Sequence, residues 1–259
     1  MRLIIFTTII TSIAYNIYAV PGGVYTTQKF AVAIIDQQKM VCGGSILSIK
    51  FVVTAAHCFE RGRDTEGIEI IVGINDLNAT TDENRKYANE IIIHPRYAKV
   101  TRDFDIALVH LNEDLTLGGS VERIDMVSGN YDEFYGMEVQ GAGWSSIGEG
   151  YAELPTRQSE NLFKIWYRND CTSRKVLGPD AYYLFGPLIS ERMLCASNLK
   201  GFPGTCDGDD GSALTTYRYE LIGILSWRYD CKEKSKPSVY ISIPLMRSWI
   251  IRTLGNFEH

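Results

Sequence analysis

No apolar run of membrane-spanning length occurs in this chain of 259 residues. A spanning helix needs about 20 apolar residues, and the longest candidate, Leu3 to Ile13, is shorter and is broken by threonines and Ser12. Positive charge is not in excess either. The formal net charge is −5 with basic residues scattered, which leaves no electrostatic footprint for nucleic acid or an anionic membrane surface. There is no Cys-x-x-Cys, and His94, His110 and His259 fall in no ligand-like spacing, so no metal and no cofactor are expected. Internal repeats, low-complexity tracts and long linkers are also missing, which leaves one compact unit, of one lobe or two.

Hydrophobic residues make up 45% of the chain, enough to bury a full core. The first nineteen residues carry Arg2, the short apolar run and then small Ala19, the pattern of a secretory signal peptide. Residues 1–19 are therefore read as a leader and residues 20–259 as the mature domain, secreted and extracellular, beginning at Val20. The six cysteines, Cys42, Cys58, Cys171, Cys195, Cys206 and Cys231, are an even number in a chain bound for an oxidising compartment, so disulfides are expected, although spacing does not choose the pairs. Asn78-Ala79-Thr80 is the single glycosylation sequon and lies in a polar stretch read as a surface loop.

Short apolar stretches separated by Gly, Asn, Asp and Pro clusters give an all-β rhythm: Phe30 to Ile35, Ser45 to Ile49, Phe51 to Thr54, Ile68 to Val72, Ile106 to Leu111, Leu221 to Trp227 and Val239 to Ile243. The charged run from Thr80 to Lys86 reads as a solvated loop. Only the end, from Pro244 through Met246, Trp249, Ile250 and Leu254, shows helical spacing, with a proline suited to a helix start.

Three segments carry chemistry. Thr54-Ala55-Ala56-His57-Cys58 places a histidine beside a cysteine, Asp105-Ile106-Ala107-Leu108 sets a carboxylate at the head of an apolar strand, and Gly208-Asp209-Asp210-Gly211-Ser212-Ala213 follows Cys206. With Cys42-Gly43-Gly44-Ser45, Gly143-Trp144, Ser226-Trp227 and Pro237-Ser238-Val239-Tyr240, the chain from about Val20 to its closing helix resembles the trypsin and chymotrypsin family of serine proteases. The resemblance implies an all-β fold of two packed antiparallel β-barrels with a short C-terminal helix and a site between the barrels. It also implies the pairs Cys42–Cys58, Cys171–Cys195 and Cys206–Cys231.

By the same resemblance His57 matches the base and Asp105 the residue that holds the base's tautomer. Ser226 matches the serine that supports that aspartate, and Gly208 supplies one N–H of the oxyanion hole. The nucleophilic serine, however, corresponds to Asp210. A carboxylate is a weak nucleophile toward an amide and, ionised, has no proton for His57 to remove. Ser212 does not replace it, because two residues of extended chain amount to roughly 6–7 Å where a base reaches about 3 Å. If the oxyanion hole forms, the Asp210 carboxylate is a candidate to fill it.

Pocket positions depart too. Arg228 stands at a glycine position at the mouth of the specificity pocket, where it either blocks the pocket or turns to solvent, Asp230 or Glu233. Trp227 flanks the pocket, Gly204 stands at its base where trypsins have aspartate, and Ser238 replaces a wall glycine. Val20 is the expected partner of Asp209, although no basic residue precedes Val20-Pro21-Gly22-Gly23. Ile74 stands where the family has a calcium-binding glutamate.

These features imply a secreted, monomeric, non-catalytic homologue, not an enzyme, that binds a protein partner as a decoy or as a modulator of proteolysis or host defence. Candidate contact loops run from Gly143 to Glu160 and from Tyr167 to Leu188. The alternative is residual or unusual serine-type endopeptidase activity. The overall look is similar to arthropod trypsins that have lost catalysis, among them inactivated protease paralogues of parasitic mites.

Overall fold

The computed structural model describes residues 24–60, 65–144, 156–172, 189–199, 205, 208–228 and 236–257. Elements are numbered within these residues.

The first barrel is built from β2 (Ala31–Asp36), β3 (Lys39–Ile46), β4 (Phe51–Thr54), β5 (Ile68–Ile71), β6 (Arg85–Ile93) and β7 (Ala107–Leu111), closed in the order β2-β3-β4-β7-β6-β5. All its pairings are antiparallel. Closure removes the unpaired edges that would otherwise template aggregation. β4 is buried along its whole length, so it reads as a continuous apolar run and not as an alternation.

The second barrel comprises β9 (Glu138–Gly143), β10 (Ser159–Ile165), β11 (Met193–Asn198), β12 (Ala213–Thr215), β13 (Glu220–Trp227) and β14 (Ser238–Ser242). It closes because β9 pairs with both β10 and β12. Two short strands lie outside the ring: β1 (Val24–Tyr25), antiparallel to β10, and β8 (Asp125–Met126), parallel to β13. One buried cluster contains residues of both barrels, from Val32 and Leu108 to Ile224 and Ile241, so the barrels share a core. A smaller cluster around Phe163, Leu214 and Tyr240 fills the second barrel alone.

Among the described residues the helices are α1 (Arg168–Cys171), between β10 and β11, and α2 (Ile243–Gly255), after β14. Pro244 lies in the first turn of α2, where its missing N–H costs nothing. Met246, Ile250 and Thr253 are buried, a helical repeat of one face. The helix also reaches the first barrel: Trp249 packs on His94, and beyond the helix end Phe257 packs on Phe51 and His110. Among the described residues no helix is long and apolar enough to cross a membrane.

Several strand boundaries differ from the sequence reading. Ser45 and Ile46 end the longer β3, and 47–49 form a turn. The charged run contains a short 3₁₀ turn at Asp82–Asn84, and its last residues, Arg85 and Lys86, open β6. The expected loop from Gly143 to Glu160 has strand at both ends, and α1 lies within the one from Tyr167 to Leu188.

Candidate active site

The site lies where the two barrels meet. His57 is on a single 3₁₀ turn, Ala56–Phe59, directly after β4. The disulfide Cys42–Cys58 ties that turn to β3, and the Thr54 hydroxyl donates to the Gly43 carbonyl at 2.7 Å. The histidine is thus braced on both sides by covalent and hydrogen bonds.

Asp105 precedes β7 and is fully buried. Its Oδ1 accepts from the backbone N–H of His57 at 2.8 Å, and its Oδ2 lies 2.7 Å from His57 Nδ1. Ser226 on β13 donates to the same Oδ2 at 2.5 Å. One carboxylate therefore joins both barrels and fixes the orientation of the imidazole. Burial pushes the Asp105 carboxyl up to about 7; the Ser226 hydroxyl and the Arg102 charge pull it down, and the Asp210 charge pushes it up.

The segment 208–212 is a turn pinned from both barrels. Gly43 donates to the Asp210 carbonyl at 2.7 Å, Gly211 to the Leu225 carbonyl at 2.9 Å, and Ser212 to the Asp209 carbonyl at 2.9 Å. Gly211 has φ +81, and a Cβ there would overlap Thr54 Oγ1 and the Gly43 carbonyl, so only glycine fits. Gly208 also adopts positive φ, at 95°.

This turn sets the Asp210 side chain toward His57. Oδ2 lies 3.7 Å from His57 Nε2, while Oδ1 accepts from the Arg228 guanidinium at 2.6 Å. The two Asp210 oxygens thus have partners in the imidazole and in the Arg228 guanidinium. The Arg228 side chain is only 14% exposed and bonds to Asp210. It does not turn to solvent. Asp230 and Glu233 lie outside the described residues.

Beneath the cleft, the Thr205 and Ser238 hydroxyls hydrogen-bond to each other at 2.6 Å, both buried. Ser238 is marked by its motif in the sequence, whereas Thr205 is not, because its hydroxyl finds a partner only when β14 brings Ser238 opposite. Trp227 is half-buried beside them. Asp209 is 5% exposed and lines a small cavity with Gly143, Ser212, Tyr240 and Thr205. Ser212 thus faces Asp209 in the same cavity. Trp144 is buried and donates through Nε1 to the Asn75 carbonyl at 3.3 Å.

The disulfides Cys42–Cys58 and Cys171–Cys195 are formed as expected. Cys206, Cys231, Gly204 and Val20 lie outside the described residues, as do residues 1–19. Asn78 is exposed on the 3₁₀ turn Leu77–Ala79. Cys42, His57 and Cys58 stand close together, but both sulfurs are spent in the disulfide and are no ligands.

Two closed barrels, a histidine–aspartate pair at their junction and a serine on the aspartate define the architecture of a trypsin-like serine protease domain. The Trypsin family profile matches residues 22–250, and the chain belongs to that family. Trypsin 5G1 of Aedes aegypti is 30% identical over 214 residues, which are 83% of this chain and 75% of that protein. Hypodermin-B of Hypoderma lineatum is 30% identical over 218 residues, 83% of this chain and 78% of its own length. Longer relatives also match: the alignment spans 21% of rat Transmembrane protease serine 9, at 27% identity. In fold, the chain superposes on mouse neuropsin with a TM-score of 0.74 and 24% identity, covering 90% of this chain and 98% of that one.

Proposed function

We propose that this chain is a secreted, non-catalytic member of the trypsin family, with Asp210 at the nucleophile position, that acts by binding a protein partner as a decoy or modulator of proteolysis or host defence. The observation that carries the reading is the Asp210 carboxylate facing His57 Nε2 at 3.7 Å. A base so placed has no hydroxyl to deprotonate, and loss of the nucleophile from a comparable triad costs on the order of 10⁶-fold in turnover.

Two further features support it. Arg228 spans the cleft to Asp210, where a substrate chain would lie. Ser238, at the wall position of the specificity pocket, is hydrogen-bonded to the buried Thr205 hydroxyl, so a substrate side chain that displaced this bond would strand two hydroxyls. The exposed Asn78 suits a glycan on a secreted protein. Residues 1–19 would be removed on secretion, and Val20 would then be free to approach Asp209.

The test is hydrolysis of a broad peptide-substrate library by the mature protein, beside His57→Ala, Asp210→Ser and the double variant Asp210→Ser/Arg228→Gly, with a serine-directed covalent probe to exclude contamination. Wild type is expected to match the His57→Ala control. Asp210→Ser alone is expected to stay low because Arg228 remains in the cleft, and the double variant to exceed it by at least tenfold. Wild-type turnover that disappears in His57→Ala would overturn the reading.

A further inference from the structure

His57 and Asp210 set two electron-pair donors against each other. Nδ1 of His57 is committed to Asp105 Oδ2 at 2.7 Å. An ionised Asp105 can only accept, so in the neutral imidazole the ring proton sits on Nδ1 and Nε2 presents its lone pair to the cleft. Opposite it, at 3.7 Å, is Asp210 Oδ2, a second acceptor. That separation exceeds a hydrogen bond. It is close to the edge of a tetrahedral metal site: zinc takes imidazole nitrogen and carboxylate oxygen at about 2.0–2.2 Å each, which sets the two ligand atoms roughly 3.4 Å apart.

The groups around the pair are those that metal ligands require. A ligating histidine usually donates its other ring N–H to a carboxylate, and a ligating carboxylate is itself hydrogen-bonded. Asp105, held by Ser226, fills the first role for His57, and Arg228 on Oδ1 fills the second for Asp210 while leaving Oδ2 free as a single-atom ligand. The gap opens to the cleft, since the Asp210 side chain is 30% exposed and that of His57 11%.

We propose that His57 Nε2 and Asp210 Oδ2 form a two-ligand, open site for a borderline divalent cation, zinc above all, with water completing the tetrahedron. One imidazole and one carboxylate suit zinc over magnesium or calcium, which need a fuller set of oxygens. Ligand spacing along the chain gives no sign of such a site, because its two members are brought together only when the barrels pack. The site does not depend on whether the protein cleaves peptides.

Calorimetric titration of the full mature protein with Zn²⁺ alone, at pH 7.5 and in the presence of excess Mg²⁺, tests the proposal. One equivalent is expected to bind, at least tenfold more weakly in His57→Ala and in Asp210→Asn, and unchanged in His259→Gln; Co²⁺ is expected to give the intense visible bands of a tetrahedral centre. Thermal melts check that each variant is folded. If His57→Ala fails that check, the part-exposed Asp210→Asn decides. Absence of saturable Zn²⁺ binding overturns the proposal, as does binding that survives Asp210→Asn. An NMR spectrum with a proton on His57 Nε2 that Zn²⁺ does not displace overturns it too, and shows that a proton bridges the pair.

Discussion

His94 lies buried, 7% exposed, with its ring stacked on Phe104 at 4.6 Å and tilted against Trp249 at 4.8 Å. Its Nδ1 accepts from the Arg96 backbone N–H at 3.2 Å, which suits the neutral ring. Burial, and then the Arg96 charge, pull its pKa down to about 4, against an opposing pull from Asp103. The folded value lies below the ordinary one, so between pH 6.5 and 4 the unfolded chain takes a proton that the folded chain refuses. The stability this group contributes above pH 6.5 is lost as the pH falls toward 4. Urea melts of wild type and His94→Gln are expected to differ less at pH 4.5 than at pH 7.5, the gap closing by about 1–3 kcal/mol; a constant gap would refute it. At this scale His57, Asp105 and Asp210 were legible because short motifs surround them. The direction of Arg228 was not, since a long side chain at a cleft has several low-energy paths and only the position of Asp210 selects one.

The turn at 208–212 depends on backbone packing more than on side chains. Gly211 combines φ +81 with contact against Thr54 and Gly43 of the opposite barrel. Gly211→Ala is expected to cost about 2–4 kcal/mol, from the left-handed conformation and the forced displacement together. Denaturant unfolding measures it, and a loss under 1 kcal/mol would show that the turn relaxes freely. Among the strands, β4 and β13 were legible as continuous apolar runs, whereas β10 was not. Its buried face is Ser159, Asn161, Phe163 and Ile165, with Asn161 accepting from the Asn198 amide at 3.2 Å. Buried polar residues satisfied by a neighbour break the apolar signal that marks a strand. β6 was hidden for the opposite reason, being exposed at several positions.

At the scale of the whole molecule, the polar bridges between the barrels include two that hold the Asp105 segment. One is Ser226 on Asp105, at the site. The other is Arg192, ahead of β11, which grips Asp103 with two hydrogen bonds of 2.8 and 2.6 Å, while Ser190 adds a third at 2.7 Å. Asp103 lies between Arg102 and Phe104, both at positive φ, so the bridge holds a strained segment directly before Asp105. Arg192→Ala is expected to lower stability by about 2 kcal/mol and to raise amide hydrogen exchange at 101–106 more than within β2. Uniform exchange would mean that the bridge is ornamental to this segment. The two-barrel arrangement was legible through the motifs' resemblance to a family, not through periodicity, because partner choice among strands depends on contacts distant in sequence.

The chain's ends are exchanged between the barrels. The amino-terminal strand β1 pairs with β10 of the second barrel, while the residues after α2 return Phe257 to Phe51 and His110 of the first. The ribosome therefore releases the first barrel's strands long before the aromatic ring that covers their outer edge has been made. The nascent first barrel thus waits, uncovered at Phe51 and His110, until the residues after α2 have been made.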